Sequence, residues 1–233
     1  MSMTRFQNGA NTEADNAIFK QLGTFSPTKF HSYFNDFDTY TAGDWTVTEG
    51  NAGSTEALTT GDGGLLLLTA TNATTDKVYM QLGADSSING FSMEAGKKAF
   101  FEIKFKTSEV TTNGLIAGLH VSNSVDYAPT DGIYFYKPAS AATVNFICRK
   151  NTSSGSTSAS AVATLAANTN VVLSWYYDGI DTVFYAVNGV VLGHLSATSA
   201  YLPDTAIGIN FGMTTAAAAN TMTIDYVFAA KER

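Results

Sequence analysis

The sequence predicts an all-β protein, built as a sandwich of two antiparallel sheets. Short runs of apolar or alternating side chains recur along the chain, and Gly, Asn, Asp or Pro separate them, as in strands joined by turns. A single stretch, residues 11–23, reads as a helix. A chain of 233 residues without a repeat of fixed period has the length of one large β domain.

Most strands are predicted from local patterns. In residues 97–107, KKAFFEIKFKT, the alternation is typical of a half-buried strand, and one face carries Ala99, Phe101, Ile103 and Phe105. Similar β-type runs occupy 61–72, 77–83, 113–123, 131–137, 142–150, 170–179 and 205–213. The polar residues 150–160, KNTSSGSTSAS, instead predict a flexible loop between strands.

Residues 181–195, DTVFYAVNGVVLGHL, predict a β-hairpin. Asn188 and Gly189 stand between two apolar runs. Both central positions of a type I′ turn require positive φ angles, which Asn and Gly adopt most readily. We therefore place the tip of the hairpin at these two residues.

The first 30 residues differ from the rest and predict an N-terminal arm. Asn11 or Thr12 would cap its one short helix, and Gly23 would end it. Disordered tails are poor in aromatic side chains, yet four Phe occur here. We therefore predict an anchoring arm, 1–30, and a sandwich, 31–233, rather than a frayed terminus. The predicted partner-contact residues are the apolar side chains of the arm: Phe6, Ile18, Phe19, Leu22, Phe25 and Phe30.

The last residues, 221–233, alternate like a strand in TMTIDYVFAAKER. The alternation predicts one shared face for four apolar side chains: Met222, Ile224, Tyr226 and Phe228. Near the beginning of the β region, residues 33–50, YFNDFDTYTAGDWTVTEG, supply three core candidates: Phe34, Phe37 and Trp45.

These two segments, with the internal hairpin YYDGIDTVFYAVNG, resemble the concanavalin A-like jelly-roll superfamily of lectins, laminin-G-type domains and glucanases. The resemblance covers roughly residues 32–230. It implies that the first and last strands lie side by side in one sheet, which would explain why the chain ends on a strand.

The arm and the ending DYVFAAKER also resemble virion proteins of tailed bacteriophages. This second resemblance implies a capsid decoration or cement protein that binds the major capsid protein or other virion proteins. Such a protein would be a homo-oligomer on the capsid exterior, made in the host cytoplasm. The alternative is a lectin-like module of a phage fibre or receptor-binding protein, with a glycan as its partner.

Charge and hydropathy argue against two classes of partner. The net charge of −7 argues against nucleic acid and against anionic membrane surfaces, since both attract clustered Lys and Arg. The longest apolar run, Leu65 to Leu68, is too short to span a bilayer. The N-terminus lacks the apolar core of a signal peptide.

The catalytic motif of the superfamily's glucanases is missing. These enzymes carry an ExDxxE-type strand, with one carboxylate as nucleophile and one as general acid. The nearest stretch, FFEIKFKTSEV, has Glu102, but Lys104 stands where the family has Asp, and Glu109 lies seven residues beyond Glu102. We therefore predict a protein that is not an enzyme and has no catalytic residues.

Histidine and cysteine give little support to a metal or nucleophile site. His31, His120 and His194 are far apart in the sequence, and scattered histidines are the ordinary case. Cys148 alternates with Phe146 on a strand, which is typical of a small buried apolar residue.

Three aspartates, Asp36, Asp38 and Asp225, would come together where the first and last strands pair. Carboxylate oxygens of this kind bind calcium. Alternatively, Asp36 and Asp38 are turn residues that bond nearby amides. We predict no cofactor and no metal site, with calcium as the alternative.

Aromatic residues give the last functional reading. Six of them would form a sugar-stacking face: Tyr127, Tyr134, Tyr136, Trp175, Tyr176 and Tyr177. Because Phe135 takes the face of its strand opposite to Tyr134 and Tyr136, one of these two sets belongs to the core. A glycan partner stays open.

Overall fold

The computed structural model is a sandwich of two eight-stranded antiparallel sheets. It describes residues 18, 28–61, 63–71, 76–83, 90–121, 128–151, 155–216 and 218–233. Within these ranges the chain forms sixteen strands and one short 3-10 helix, Ala42–Asp44, and contains no helix long and apolar enough to cross a membrane. The predicted all-β sandwich is confirmed. The predicted helix at 11–23 lies outside the described residues, apart from Ile18.

The two sheets are named here by their strands, in spatial order. Sheet I contains β14 (Val190–Ser196), β13 (Thr182–Val187), β12 (Val171–Tyr177), β7 (Ala99–Thr107), β16 (Asn220–Glu232), β4 (Leu65–Ala70) and β3 (Thr55–Thr59), and β1 (Phe30–Asn35) pairs with β16. Sheet II contains β11 (Gly155–Thr164), β10 (Thr143–Lys150), β9 (Gly132–Lys137), β8 (Asn113–His120), β15 (Ala206–Thr215), β5 (Lys77–Leu82) and β2 (Trp45–Glu49), and β6 (Phe91–Ser92) pairs with β15.

Strand β16 runs through the middle of sheet I. It pairs with β7 along one side, and with β4 and then β1 along the other. The predicted pairing of the first and last strands is therefore confirmed. Side chains at the charged end of β16 form further hydrogen bonds. Lys231 Nζ donates to Glu94 Oε1 at 2.7 Å, and Glu232 Oε2 accepts from the Lys98 amide at 2.8 Å.

A β-bulge in β16 contradicts the predicted common face of Met222, Ile224, Tyr226 and Phe228. The register with β7 shifts between Ile224 and Tyr226. Because a bulge inserts one extra residue, the side chains beyond it exchange faces. Met222 and Ile224 therefore lie in the core between the sheets, whereas Phe228 packs on the outer face of sheet I.

Inward side chains of both sheets form the core. Phe101 and Trp175 of sheet I and Phe135 and Phe211 of sheet II are completely buried or nearly so, and they belong to one apolar cluster. Each such side chain contributes roughly 1.5–3 kcal/mol when it is removed from water. The predicted inward face of β7 is confirmed by the burial of Phe101 and its alternate neighbours.

One of the three core candidates in the first β segment is wrong. Phe37 and Trp45 are buried, with 6.2 Å between their ring centroids. Phe34 is instead 59% exposed. It lies on β1, where it meets Phe228 on the outer face of sheet I at a centroid distance of 6.2 Å.

The structure corrects the predicted loop at 150–160. Residues from Gly155 onward form β11, which pairs with β10 at the edge of sheet II. Most side chains of β11 are at least partly exposed. An edge strand of this kind depends on backbone hydrogen bonds, so its sequence need not alternate between apolar and polar.

The hairpin between β13 and β14 is confirmed. Asn188 and Gly189 have φ angles of 49° and 78°, so both turn residues adopt the left-handed backbone that the sequence predicts. The side chain of Asn188 adds a further restraint, because its Oδ1 accepts a hydrogen bond from the Val172 amide at 2.9 Å.

Ile18 and Phe30 are the two predicted partner-contact residues that the structure describes. They are 1% and 3% exposed, and they pack on the outer face of sheet I in one cluster with Phe100, Tyr176, Ala186 and Ala230. Phe30 also begins β1. The other four, Phe6, Phe19, Leu22 and Phe25, lie outside the described residues, so the partner-contact role and the arm of residues 1–30 stay predictions.

Candidate functional site

Glycines line the centre of the outer face of sheet II. Every outward cross-strand pair of β15 and β8 contains one: Gly208 opposite His120, Asn210 opposite Gly118, Gly212 opposite Ile116, and Thr214 opposite Gly114. The glycines allow close approach, since a Cβ on Gly118 would lie 2.5 Å from the Cα of Tyr134, and one on Gly132 would lie 2.4 Å from the Cβ of His120. Larger neighbouring side chains therefore pack closely against the glycines in the middle of the sheet.

Several polar side chains project from this face, and we call five of them the polar patch. Each stands at an alternate position of a strand whose other face enters the core: Gln81 on β5, His120 on β8, Tyr134 on β9, Arg149 on β10 and Asn210 on β15. Gln81 lies directly opposite Asn210, and Gly118 separates Asn210 from Tyr134. The sheet thus brings together residues that are up to 129 positions apart, from 81 to 210.

His120 is held in one tautomer. Its Nδ1 lies 2.8 Å from the carbonyl oxygen of Val121, and a carbonyl only accepts, so Nδ1 carries the proton and Nε2 keeps its lone pair. Burial lowers the pKa of His120 to about 4, against a smaller opposing effect of the bond to Val121. The ring is therefore neutral at neutral pH. Nε2 is buried and has no hydrogen-bond partner in the described part of the chain.

Tyr134 stands beside His120. The two rings meet edge to face, at 65° and with 5.6 Å between their centroids. Burial raises the pKa of Tyr134 to about 12, although the charge of Arg149 acts in the opposite direction. The phenol therefore keeps its proton at neutral pH, and its buried oxygen bonds to no described residue.

The remaining members of the patch supply donors. Arg149 Nη1 donates to the Pro129 carbonyl at 3.3 Å, but its Nε is buried without a partner among the described residues, as is Nε2 of Gln81. Asn210 has a supporting role. Its Nδ2 donates to the backbone carbonyl of His120 at 2.7 Å and to that of Gly208 at 3.0 Å.

The patch therefore concentrates hydrogen-bonding groups that have no partner among the described residues. A buried donor or acceptor without a partner costs roughly 1–3 kcal/mol, so native proteins contain few of them. Four such groups lie on this one face, one per side chain of Gln81, His120, Tyr134 and Arg149, and we therefore take it as the candidate site. Among the described outward positions of β5, β15, β8, β9 and β10 there is no Asp or Glu, so these residues do not provide a pair of carboxylates.

The carboxylates weighed in the sequence lie elsewhere. Glu102 is on sheet I, where it accepts a hydrogen bond from the Tyr226 hydroxyl at 2.9 Å. Lys104 forms an ion pair with Asp225 at 2.8 Å. Glu109 accepts hydrogen bonds from the Thr111 and Thr112 amides in the turn after β7. None of these three acidic side chains reaches the polar patch.

The other histidines and the cysteine are not brought to the patch. The ring of His31 contacts Phe91 at 4.6 Å, and that of His194 lies 5.8 Å from Phe184. Cys148 is buried as predicted, and burial raises the pKa of its thiol to about 12. The described residues contain no group of three His, Cys, Asp or Glu able to hold a metal ion. Calcium stays an untested alternative.

The predicted sugar-stacking aromatics are divided among three places. Trp175 and Tyr177 lie in the core, and Tyr176 lies on the outer face of sheet I. Tyr134 and Tyr136 are on the outer face of sheet II, while Phe135 is the core residue of that strand. Tyr127 falls outside the described residues.

Sequence reasoning missed Gln81, Arg149 and Asn210, and it treated His120 as an isolated histidine. Each of the four is a polar residue that interrupts an otherwise apolar strand at an alternate position. That pattern marks an outward side chain. A polar residue of this kind recurs in several strands, with glycine at neighbouring outward positions, and that recurrence could have indicated the site.

No protein-family model matches the chain, and a search of curated proteins gave no match. Solved structures do match over most of its length. An endo-β-1,4-glucuronan lyase from the fungus Trichoderma reesei has 12% identity and a TM-score of 0.57, over 85% of this chain and 94% of that one. A Bacillus licheniformis β-glucanase has 13% identity and a TM-score of 0.59, over 85% and 97%. The Emp47p carbohydrate recognition domain has 12% identity and a TM-score of 0.58, over 88% and 98%.

These matches correct the prediction that the protein is not an enzyme. That prediction rested on the absence of one hydrolase motif, whereas the matching structures include glucanases and a lyase. They do not bear on the resemblance to phage virion proteins, which stays a prediction. What they show, at 12–13% identity, is the fold: this chain shares the two-sheet antiparallel sandwich of these structures.

Proposed function

We propose that this protein cleaves an acidic polysaccharide by β-elimination at the polar patch. The observation that carries the proposal is the neutral His120 packed against the protonated hydroxyl of Tyr134, with neither His120 Nε2 nor that hydroxyl bonded to a described residue. A base and an acid in these protonation states, side by side, are what a proton transfer across a sugar ring requires. The patch offers no carboxylate pair for hydrolysis among the described residues.

The substrate in this proposal is a chain of uronic acids, whose carboxylate makes the hydrogen on the adjacent carbon acidic. Nε2 of His120 accepts that proton, and the electron pair forms a carbon–carbon double bond as the next carbon releases the glycosidic oxygen. The Tyr134 hydroxyl gives its proton to the departing oxygen. The proton on His120 then returns to the tyrosinate, so the enzyme is restored and the product has one unsaturated end.

Gln81 Nε2 and Arg149 Nε, which have no partner among the described residues, suit the carboxylate of such a sugar. Negative charge shifts onto the carboxylate as the proton leaves, and fixed donors in a water-poor site stabilise developing charge strongly. Arg149 is oriented by its bond to Pro129, and the backbone beside His120 is held by Asn210. The glucuronan lyase of similar fold supports this substrate class, because glucuronan is a polyuronate.

The test is a panel of polysaccharides incubated with the purified protein, with the ultraviolet absorbance of unsaturated uronic acid as readout. We expect absorbance to rise with at least one polyuronate, such as glucuronan, alginate or polygalacturonate, and not with neutral β-glucan. Tyr134→Phe and His120→Asn should each lower the rate at least about 100-fold.

Two controls match these variants. His194→Asn and Tyr226→Phe make the same chemical changes on sheet I and should leave the rate unchanged. Absence of unsaturated product from every polyuronate, or full activity in Tyr134→Phe, would refute the proposal. Release of reducing ends from neutral glucan without new absorbance would point to hydrolysis instead.

A second candidate is the virion role predicted from the sequence, a capsid decoration protein that binds an assembled shell. Exposed apolar side chains near the free edge of sheet I favour it, since Val190 and Leu192 on β14 and Ile180 in the turn between β12 and β13 are all largely exposed. Co-sedimentation with phage capsids, lost in Leu192→Asp, would support this role. A protein that stays in the supernatant would exclude it.

A further inference from the structure

Lys137 is a fully buried lysine at the end of β9. Its Nζ is surrounded by four backbone carbonyl oxygens. The oxygen of Val110 lies at 2.6 Å, that of Ala141 at 2.9 Å and that of Pro138 at 3.3 Å, and the Asn113 oxygen is the fourth. We call these four oxygens the carbonyl cage.

The carbonyl cage resembles a coordination shell more than a set of ordinary hydrogen bonds. An ammonium group has three N–H donors, so four surrounding oxygens exceed what directional bonding requires. Rings of backbone carbonyls are also the ligands with which proteins replace the hydration shell of potassium. The arrangement suits a small spherical cation.

No carboxylate of the described residues forms an ion pair with Nζ, in contrast to the lysines that form ion pairs elsewhere in the described chain. Lys104, Lys150 and Lys231 each contact an Asp or Glu oxygen within 2.9 Å. A cage without a formal negative charge stabilises a single positive charge through carbonyl dipoles, but it does not offer a divalent ion the carboxylates such ions prefer. The site therefore favours a monovalent cation.

The cage is also a junction. Its oxygens come from the segment before β8, from the first residue of β8 and from the turn that follows β9. Burial lowers the pKa of Lys137 to about 8, with the charge of Glu109 acting in the opposite direction, so the side chain is still mostly protonated at neutral pH. One positive charge thus holds three pieces of backbone together.

We propose that the carbonyl cage is a monovalent-cation site whose cation is supplied by the chain itself. If the lysine nitrogen is removed, the cage takes ammonium or potassium from solution. The variant that tests this is Lys137→Met, because methionine keeps most of the apolar stem and lacks the nitrogen. Lys150→Met is the matched control, since Lys150 pairs with Asp204 at the surface.

The experiment compares melting temperatures in ammonium, potassium and tetramethylammonium chloride at equal ionic strength. Tetramethylammonium is too large for the cage and has no N–H group. We expect Lys137→Met to melt several degrees lower than the wild type in tetramethylammonium and to regain part of that loss in ammonium or potassium. The wild type and Lys150→Met should respond alike to all three salts. Equal melting temperatures of Lys137→Met in the three salts would overturn the proposal.

If Lys137→Met does not fold, the wild type provides the test. Ammonium protons that are buried and bonded exchange slowly with water, so nitrogen-15 NMR at neutral pH should show one protected lysine ammonium signal, connected through its side chain to Lys137. Absence of that signal would contradict a caged cation.

Discussion

The ring of His120 meets the ring of Tyr134 edge to face, with 5.6 Å between their centroids. Both side chains are buried, and each has a polar atom without a described partner. Their backbones are fixed by adjacent strands, β8 and β9, so the relationship belongs to the sheet and not to a mobile loop. This pair is the centre of the proposed function, and it makes the stability of the fold depend on pH.

We expect acid to destabilise the protein through His120. Its pKa is about 4 in the folded chain, below the ordinary value of 6.5, so between these values the unfolded state binds a proton that the folded state does not. The contribution of neutral His120 to the free energy of unfolding is complete above pH 6.5 and is lost as the pH falls to 4. Over this range the free energy of unfolding should fall by on the order of 3 kcal/mol more than in His120→Asn, as measured by urea unfolding.

The control for this prediction is His194→Asn, which replaces an exposed histidine and should keep the pH dependence of the wild type. If His120→Asn shows the same loss between pH 6.5 and pH 4 as the wild type, His120 is not the buried neutral group described here.

Gly118→Ala should destabilise the sandwich by about 1–3 kcal/mol, because its Cβ would lie 2.5 Å from backbone and side-chain atoms of Tyr134. Gly43→Ala is the matched control, since a Cβ there meets no atom within 4 Å. Chemical denaturation of both variants checks this. Equal stability of the two would show that the strands beside Gly118 separate without cost.

Ile18→Ala should cost about 2–5 kcal/mol, because Ile18 is 1% exposed and packs against Phe100 and Tyr176 on the outer face of sheet I. The matched control is Ile180→Ala, whose side chain is 73% exposed and should change the free energy of unfolding by less than about 0.5 kcal/mol. A small effect at both positions would mean that Ile18 does not belong to the stable fold in solution.

Gly189→Val should lower the free energy of unfolding by roughly 1 kcal/mol or more, since a β-branched residue resists the φ angle of 78° at this turn position. Asn188→Ala should also be destabilising, because it removes the bond to the Val172 amide. An unchanged melting temperature in Gly189→Val would mean that the turn can adopt another conformation.

Local patterns predicted the fold well where a strand has one buried face. The alternation of β7 and the turn at Asn188 both appear in the structure. The pairing of the first and last strands also appears, but it was implied by the resemblance and not by a local pattern. Prediction failed where local alternation does not determine the structure. The bulge after Ile224 reverses the faces of β16, and β11 is held by its partner strand without an apolar face of its own.

The candidate site was not predicted, for a different reason. Gln81, His120 and Asn210 become neighbours through strand order, and nothing in a single strand's pattern states which strand lies beside it. The sequence did separate Tyr134 from Phe135 as opposite faces of one strand, but it did not say which face enters the core. The missing information was the pairing of β5, β15, β8 and β9.

The position of β16 has a consequence for synthesis of the chain on the ribosome. Sheet I stays in three parts until residues Asn220–Glu232 have emerged, because this segment joins β7 to β4 and to β1. A nascent chain that lacks them exposes the unpaired edges of β7 and β4, and such edges recruit other strands. We therefore expect chaperones to bind the nascent chain mainly in the interval before β16 inserts. A chain released after a ribosome stalls shortly before Asn220 should be prone to aggregation.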